Sequence, residues 1–136
     1  MNDHEFVADA LSASSTQSVS LLRAARLIDD RRSEEGIYLL EEVASAPRPP
    51  REGLARHVEE AFNGAEDLTL GGIAALLADM IARTPSANLS DVHEDLWEDI
   101  GESPHLQGRD ADRLILRTVL TRCLDARLAQ RAPAAA

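Results

Sequence analysis

The chain has 136 residues, the size of one ordinary domain and too few for two. Its formal net charge of −10 opposes direct binding to nucleic acid or to anionic membrane surfaces, and it favours basic partners. The single cysteine, Cys123, excludes an internal disulfide and a cysteine-based zinc site. No N-terminal stretch joins a basic start to an apolar run, so we expect a cytoplasmic protein without a membrane partner.

Residue usage favours an all-α fold. Only four aromatic residues occur, so the core must be built from Leu, Ile, Val and Ala, and two of these are strong helix formers. All 14 basic residues are arginine. Together with the abundant alanine, this bias is typical of a GC-rich genome, which we take to be bacterial.

The first half of the chain predicts three helices. The first spans about 3–12 and the second about 17–32. The third begins at Ser33, whose hydroxyl we expect to cap it, and it must end before the stiff Pro-rich segment 47–50. Neither side of this segment is long enough for its own core, so we interpret 47–50 as a connector inside one domain.

The segment 69–83 is the most informative for architecture. A helix from about Arg51 ends at Asn63–Gly64, and the next segment is polar only at Thr69, Asp79 and Arg83. A helix that is apolar nearly all round belongs in the middle of a bundle, and Gly71 and Gly72 would allow a neighbouring backbone to approach closely. We therefore predict a single compact domain over 1–131, with five to seven helices around a central helix at about 70–83 and a flexible tail at 132–136.

Two more helices follow the central one. Asn88 is expected to cap the first, residues 101–108 form a loop, and the second runs over about 110–130. The apolar arc of this last helix is broad, which leaves two interpretations open: a central position, or a second face for another copy of the chain. We expect Leu120→Glu to disrupt such a homodimer or larger homo-oligomer.

The helix after Asn88 carries the candidate site. Its outer face is a run of acidic residues without a basic one, and an aromatic residue that is common in binding hot spots lies beside its apolar stripe. We predict that a partner protein binds the following residues: Asp91, Glu94, Asp95, Trp97, Glu98, Asp99 and Glu102. The alternative is that these charges only keep the protein soluble.

The sequence predicts no metal, cofactor or catalytic residue. His93 and Glu94 superficially suggest a zinc protease motif, but the second histidine that the motif needs is replaced by Trp97. Cys123 lies in the apolar arc of the last helix, where a thiol is a small core residue rather than a nucleophile. We therefore predict a protein that is not an enzyme.

The arginines of the last helix are the main argument for a DNA-binding protein. Arg113, Arg117 and Arg127 fall on the margins of the apolar arc, so we expect their stems to cover the core and their guanidinium groups to pair with acids. We predict a small acidic regulatory or adaptor protein that binds another protein with a basic surface. A more specific form of this prediction is that the chain inhibits a basic or nucleic-acid-binding partner. The alternatives are a helical DNA-binding transcriptional regulator and a structural subunit of a phage or secretion assembly.

Overall fold

The computed structural model describes residues 16–63 and 68–131. The regular structure in these two ranges is all helical, which confirms the predicted all-α class and the predicted number of helices. The α-helices are α1 (Thr16–Asp29), α2 (Ser33–Ser45), α3 (Leu54–Phe62), α4 (Leu70–Arg83), α5 (Leu89–Glu102) and α6 (Asp110–Arg131). Single-turn 3-10 helices, Ser86–Asn88 and Pro104–Leu106, precede α5 and α6. The predicted helix over 3–12 and the tail 132–136 lie outside the described residues.

The helix α4 forms the centre of the fold, as predicted. Eleven of its 14 residues are buried, and it contacts α1, α2, α3 and α6. A helix surrounded in this way needs apolar side chains on every side, which explains the sequence of the segment. No helix within the described ranges has both the length and the apolar character to cross a bilayer.

A close contact joins the C-terminal end of α1 to the N-terminal end of α4. A Cβ atom at Gly71 would overlap the carbonyl oxygen of Ala25, which confirms the predicted close approach at this glycine. The Asp29 carboxylate accepts hydrogen bonds from the Gly71 N–H at 2.7 Å and from the Thr69 hydroxyl at 2.6 Å. Asp29 therefore caps the first turn of a helix that is distant in sequence.

Two helix boundaries differ from prediction because of left-handed residues. The helix α1 ends at Asp29 rather than near residue 32, since Arg31 has a φ of 66°. The helix α3 begins at Leu54 rather than near residue 51, since Gly53 has a φ of 83°. A right-handed helix cannot continue through either conformation.

Two predicted caps and one predicted loop were also wrong. Ser33 is the first residue inside α2, and Asn88 ends a 3-10 turn. Neither α2 nor α5 receives a capping hydrogen bond from a side chain at its N-cap position. The predicted loop 101–108 is largely helical, since α5 continues to Glu102 and a 3-10 turn follows.

The Pro-rich connector packs against the C-terminal end of α4. The Arg48 N–H donates to the Ala82 carbonyl oxygen at 2.9 Å, and the Arg83 guanidinium donates to the Pro49 carbonyl oxygen at 2.7 Å. These bonds use carbonyl groups that the end of α4 and the prolines would otherwise leave without donors. They fix the connector as part of the same packed unit as α4.

Candidate protein-binding cleft

The helix α5 displays its acidic face because its apolar stripe is narrow. Leu89, Leu96 and Ile100 are buried against the rest of the fold, and α5 packs mainly along α6. All seven residues of the predicted site are exposed. The structure divides them, however, into two groups that line different cavities, with Asp91 exposed in the first turn outside both.

The first group consists of Asp95, Asp99 and Glu102. These residues line a cleft of about 470 Å³ between α3 and α5, which we name the acidic cleft. Its floor is apolar and consists of Val58, Phe62, Met80, Val92 and Leu96. Its rim holds four carboxylates, Glu59, Asp95, Asp99 and Glu102. The structure thus adds Glu59 to the candidate site, and it places this residue on the wall opposite α5.

The charges around the acidic cleft have no counter-charge among the residues that the structure describes. Among the described residues, no basic side chain belongs to the lining and none of the four carboxylates forms an ion pair. Burial raises the pKa of the Asp99 carboxyl, and Asp95, Glu102 and Glu59 raise it further by repulsion. A cation placed in the cleft would relieve this repulsion.

The C-terminal ends of α3 and α5 meet at one end of the cleft. The buried Ser103 hydroxyl donates to the Phe62 carbonyl oxygen at 2.7 Å, so the residue after α5 is bonded to the last residue of α3. Arg113 of α6 donates to the carbonyl oxygens of Ile100 and Leu106, both at 3.1 Å. These bonds hold the two walls of the cleft in place before any partner arrives.

The second group, Glu94, Trp97 and Glu98, faces α6. The Arg117 guanidinium lies 4.6 Å from the centre of the Trp97 ring and donates to the Trp97 carbonyl oxygen at 3.2 Å. The His93 ring stacks on the same indole at 5.8 Å between ring centres. Trp97 is still 38% exposed, but its partners within the chain explain its presence without a binding role.

His93 and Cys123 are poor candidates for chemistry in the folded protein. Burial lowers the pKa of His93, and the nearby Asp125 opposes this shift. Cys123 is fully buried, and burial raises the pKa of its thiol well above the ordinary value, so the nucleophilic thiolate is disfavoured. In the described part of the chain, no group of three or more potential ligands is placed to hold a metal ion.

The arginines of α6 are engaged within the chain, but differently from prediction. Arg127 donates to the Ile81 carbonyl oxygen at 2.6 Å, and Arg117 and Arg113 also bond to carbonyl groups of neighbouring elements. Arg113 also forms an ion pair with its neighbour Asp110 at 3.2 Å. The predicted pairing with an acid is thus present at Arg113, whereas Arg117 bonds instead to the Trp97 carbonyl oxygen of α5.

Arg122 joins α6 to α2 through ion pairs with two glutamates. Its guanidinium binds both carboxylate oxygens of Glu41, each at 2.9 Å, and also reaches Glu34 at 2.8 Å. This fork-like pairing fixes α6 against α2. An arginine used in this way is not displayed for a phosphate backbone.

Comparisons with protein-family models, with curated proteins and with solved structures found no match to this chain.

Proposed function

We propose that this protein is a small regulatory or adaptor protein that acts by binding a basic surface of another protein in the acidic cleft. The observation that carries the proposal is the combination of an apolar floor with four rim carboxylates that form no ion pair with any described residue. Apolar contact supplies binding energy, and complementary charge supplies specificity and a fast approach of the partner.

The repulsion inside the cleft supports this proposal over a purely solubilising role. Charges that only maintain solubility can spread over the surface, whereas Glu59 and Asp99 are brought together from two different helices. Such an arrangement weakens the free protein and is relieved by a cationic ligand. Functional sites commonly carry this kind of local cost to stability.

A sharper form of the proposal is inhibition of a protein whose basic surface binds nucleic acid. The rim carboxylates would occupy the cationic groups that otherwise contact phosphate. The engagement of Arg113, Arg117, Arg122 and Arg127 within the chain favours this form over direct DNA binding. The cytoplasmic location and the bacterial source stay predictions.

Self-association through α6 is a separate proposal with its own observation. Leu114 is 66% exposed and Leu128 is 39% exposed, and both lie on the outer side of α6. Exposed leucines on one helix face would be covered if a second copy packed there. This surface also keeps open the alternative of a structural subunit in a larger assembly.

The binding proposal is tested by capture of partners from native lysate with a charge-matched pair of variants. The cleft variant carries Glu59→Gln, Asp99→Asn and Glu102→Gln. The control variant carries Asp30→Asn, Glu42→Gln and Glu52→Gln, which are exposed acids that do not belong to the cleft lining. Nuclease is added to half of each sample, so that proteins recovered only through nucleic acid are identified.

We expect the original chain and the control variant to recover the same basic protein with and without nuclease. The cleft variant should bind it about tenfold more weakly, or about 1.4 kcal/mol, because it loses three charge contacts. Equal recovery by the cleft variant would refute the proposed site. Recovery of DNA itself would instead support the DNA-binding alternative.

A further inference from the structure

The geometry points to an amphipathic α-helix of the partner, with its N-terminal end beside Ser103, as the occupant of the acidic cleft. This inference rests on the proposed function, since it assumes that a protein binds there. It adds the conformation of the partner segment, the spacing of its basic residues and the direction in which it lies. Each of these follows from a different feature of the cleft.

The floor of the cleft fits a row of apolar side chains. Met80 of α4 and Val92 of α5 are half-buried, and the other three floor residues, Val58, Phe62 and Leu96, are buried. Methionine adapts its shape to the side chain that packs on it. An apolar stripe along one face of a helix would cover this floor while its flanks reached the rim.

The backbone of the occupant must satisfy its own hydrogen bonds. The walls of the cleft are helices, and no strand edge lies among its lining residues. An extended peptide would therefore find no row of N–H and C=O groups to pair with. A helix makes most of these bonds within itself, so helical walls favour a helical occupant.

The rim predicts where the basic residues of that helix lie. Asp95, Asp99 and Glu102 follow one another at four- and three-residue intervals along α5. At a rise of about 1.5 Å per residue, this spacing corresponds to about 6 Å and 4.5 Å along the axis. Arginine or lysine at the same intervals on a partner helix would face the three carboxylates, and a further basic residue on its opposite flank would reach Glu59.

The direction of the helix follows from the two helix ends that meet at Ser103. The helices α3 and α5 both end there, so the partial negative charges of two C-termini lie beside the Glu102 carboxylate. The N-terminal end of a helix carries a partial positive charge. The partner helix is therefore expected to run antiparallel to α5, with its first turn near Ser103.

The test uses two fluorescein-labelled synthetic peptides of identical composition, binding to the full chain. In the first, leucine and arginine follow helical spacing, so that one face is apolar and its flanks are basic. In the second, the same residues alternate, as on one amphipathic strand. We expect the helical peptide to bind at least ten times more tightly and to gain helical circular dichroism when bound. The cleft variant should weaken it at least tenfold, while the control variant should not.

The outcomes separate the inference from the proposed function. Equal binding of both peptides, or binding of neither up to millimolar concentration, would overturn the helical occupant. If the cleft variant no longer recovered the partner from lysate, the proposed function would still stand. If the cleft variant still bound both the partner and the helical peptide, the proposed function and the inference would both be wrong.

The direction of the bound helix is tested separately. A spin label at the N-terminus of the helical peptide should broaden the amide signal of Ser103 more than that of Ala55. Stronger broadening at Ala55 would overturn the antiparallel direction.

Discussion

The side chains of Arg48 and Asp79 form an ion pair in the interior, where they are 6% and 0% exposed. Arg83 binds the other oxygen of the same carboxylate at 2.9 Å. Burial raises the pKa of the Asp79 carboxyl, and the two arginines oppose that rise. The cluster fastens the Pro-rich connector to the central helix, since Arg48 belongs to one and Asp79 to the other.

We expect Asp79→Asn to destabilise the protein by about 3–5 kcal/mol, because it leaves two arginines without their counter-charge in a site with little water. Urea denaturation followed by circular dichroism measures the loss. The matched control is Glu60→Gln, which breaks the exposed pair with Arg56 and should cost less than about 1 kcal/mol. Similar costs for the two variants would contradict the structural role of the buried cluster.

The sequence was sufficient to predict the central helix but not this cluster. The apolar run 70–83 can be buried only in the middle of a helical fold, so its position follows from composition. Asp79 was visible as a lone acid in that run. Its partner Arg48 lies 31 residues earlier, within the Pro-rich segment, and no periodic pattern connects the two.

The candidate site was predicted in outline for a similar reason. The acidic face of α5 follows from helical spacing within one segment, and all seven residues are indeed exposed. The division of these residues into two groups depends on how α3 and α6 pack against α5. Contacts between separate segments of the chain cannot be read from the spacing within one helix. The sequence analysis missed Glu59 because nothing within α3 indicates that this residue faces Asp99. The contact between Trp97 and Arg117 could not be predicted for the same reason.

Substitution of Gly71 by alanine should destabilise the fold by at least about 1–3 kcal/mol, the usual cost of overfilling a packed interior. The added Cβ would overlap the carbonyl oxygen of Ala25, and a backbone atom cannot move aside cheaply. The control is Gly108→Ala, which strains a left-handed residue (φ 78°) but meets no atom within 4 Å. Thermal melting compares them, and a smaller loss at Gly71 than at Gly108 would contradict the close approach of α1 and α4.

Self-association through α6 is tested at Leu114 rather than at Leu120. Leu120 is fully buried, so Leu120→Glu would unfold the monomer and would not report on assembly. Leu114→Glu changes an exposed side chain and should leave folding intact, while it shifts any concentration-dependent oligomer to monomer in sedimentation velocity. A purely monomeric original chain at high concentration, or an oligomer unaffected by Leu114→Glu, would argue against this interface.

The strain in the acidic cleft predicts a pH-dependent gain in stability for Asp99→Asn. Burial and the neighbours Asp95, Glu102 and Glu59 raise the pKa of Asp99 in the folded state above 3.8. The folded protein thus binds this proton more tightly than the unfolded chain, so ionisation of Asp99 weakens folding at neutral pH. Below pH 3.8, where both states become protonated, this weakening disappears.

We therefore expect Asp99→Asn to stabilise the protein at pH 7 by up to about 0.5 kcal/mol, the usual limit for a surface substitution. The gain should fall towards zero as the pH drops below 4 and should shrink in high salt, because the repulsion is screened. Urea denaturation at several pH values measures it, with Glu52→Gln as an exposed control outside the cleft. The same variant should bind a basic partner more weakly at pH 7, so the position would trade stability against binding. A loss of stability at pH 7, or a gain that persists at pH 3, would show that repulsion from the rim does not act on Asp99.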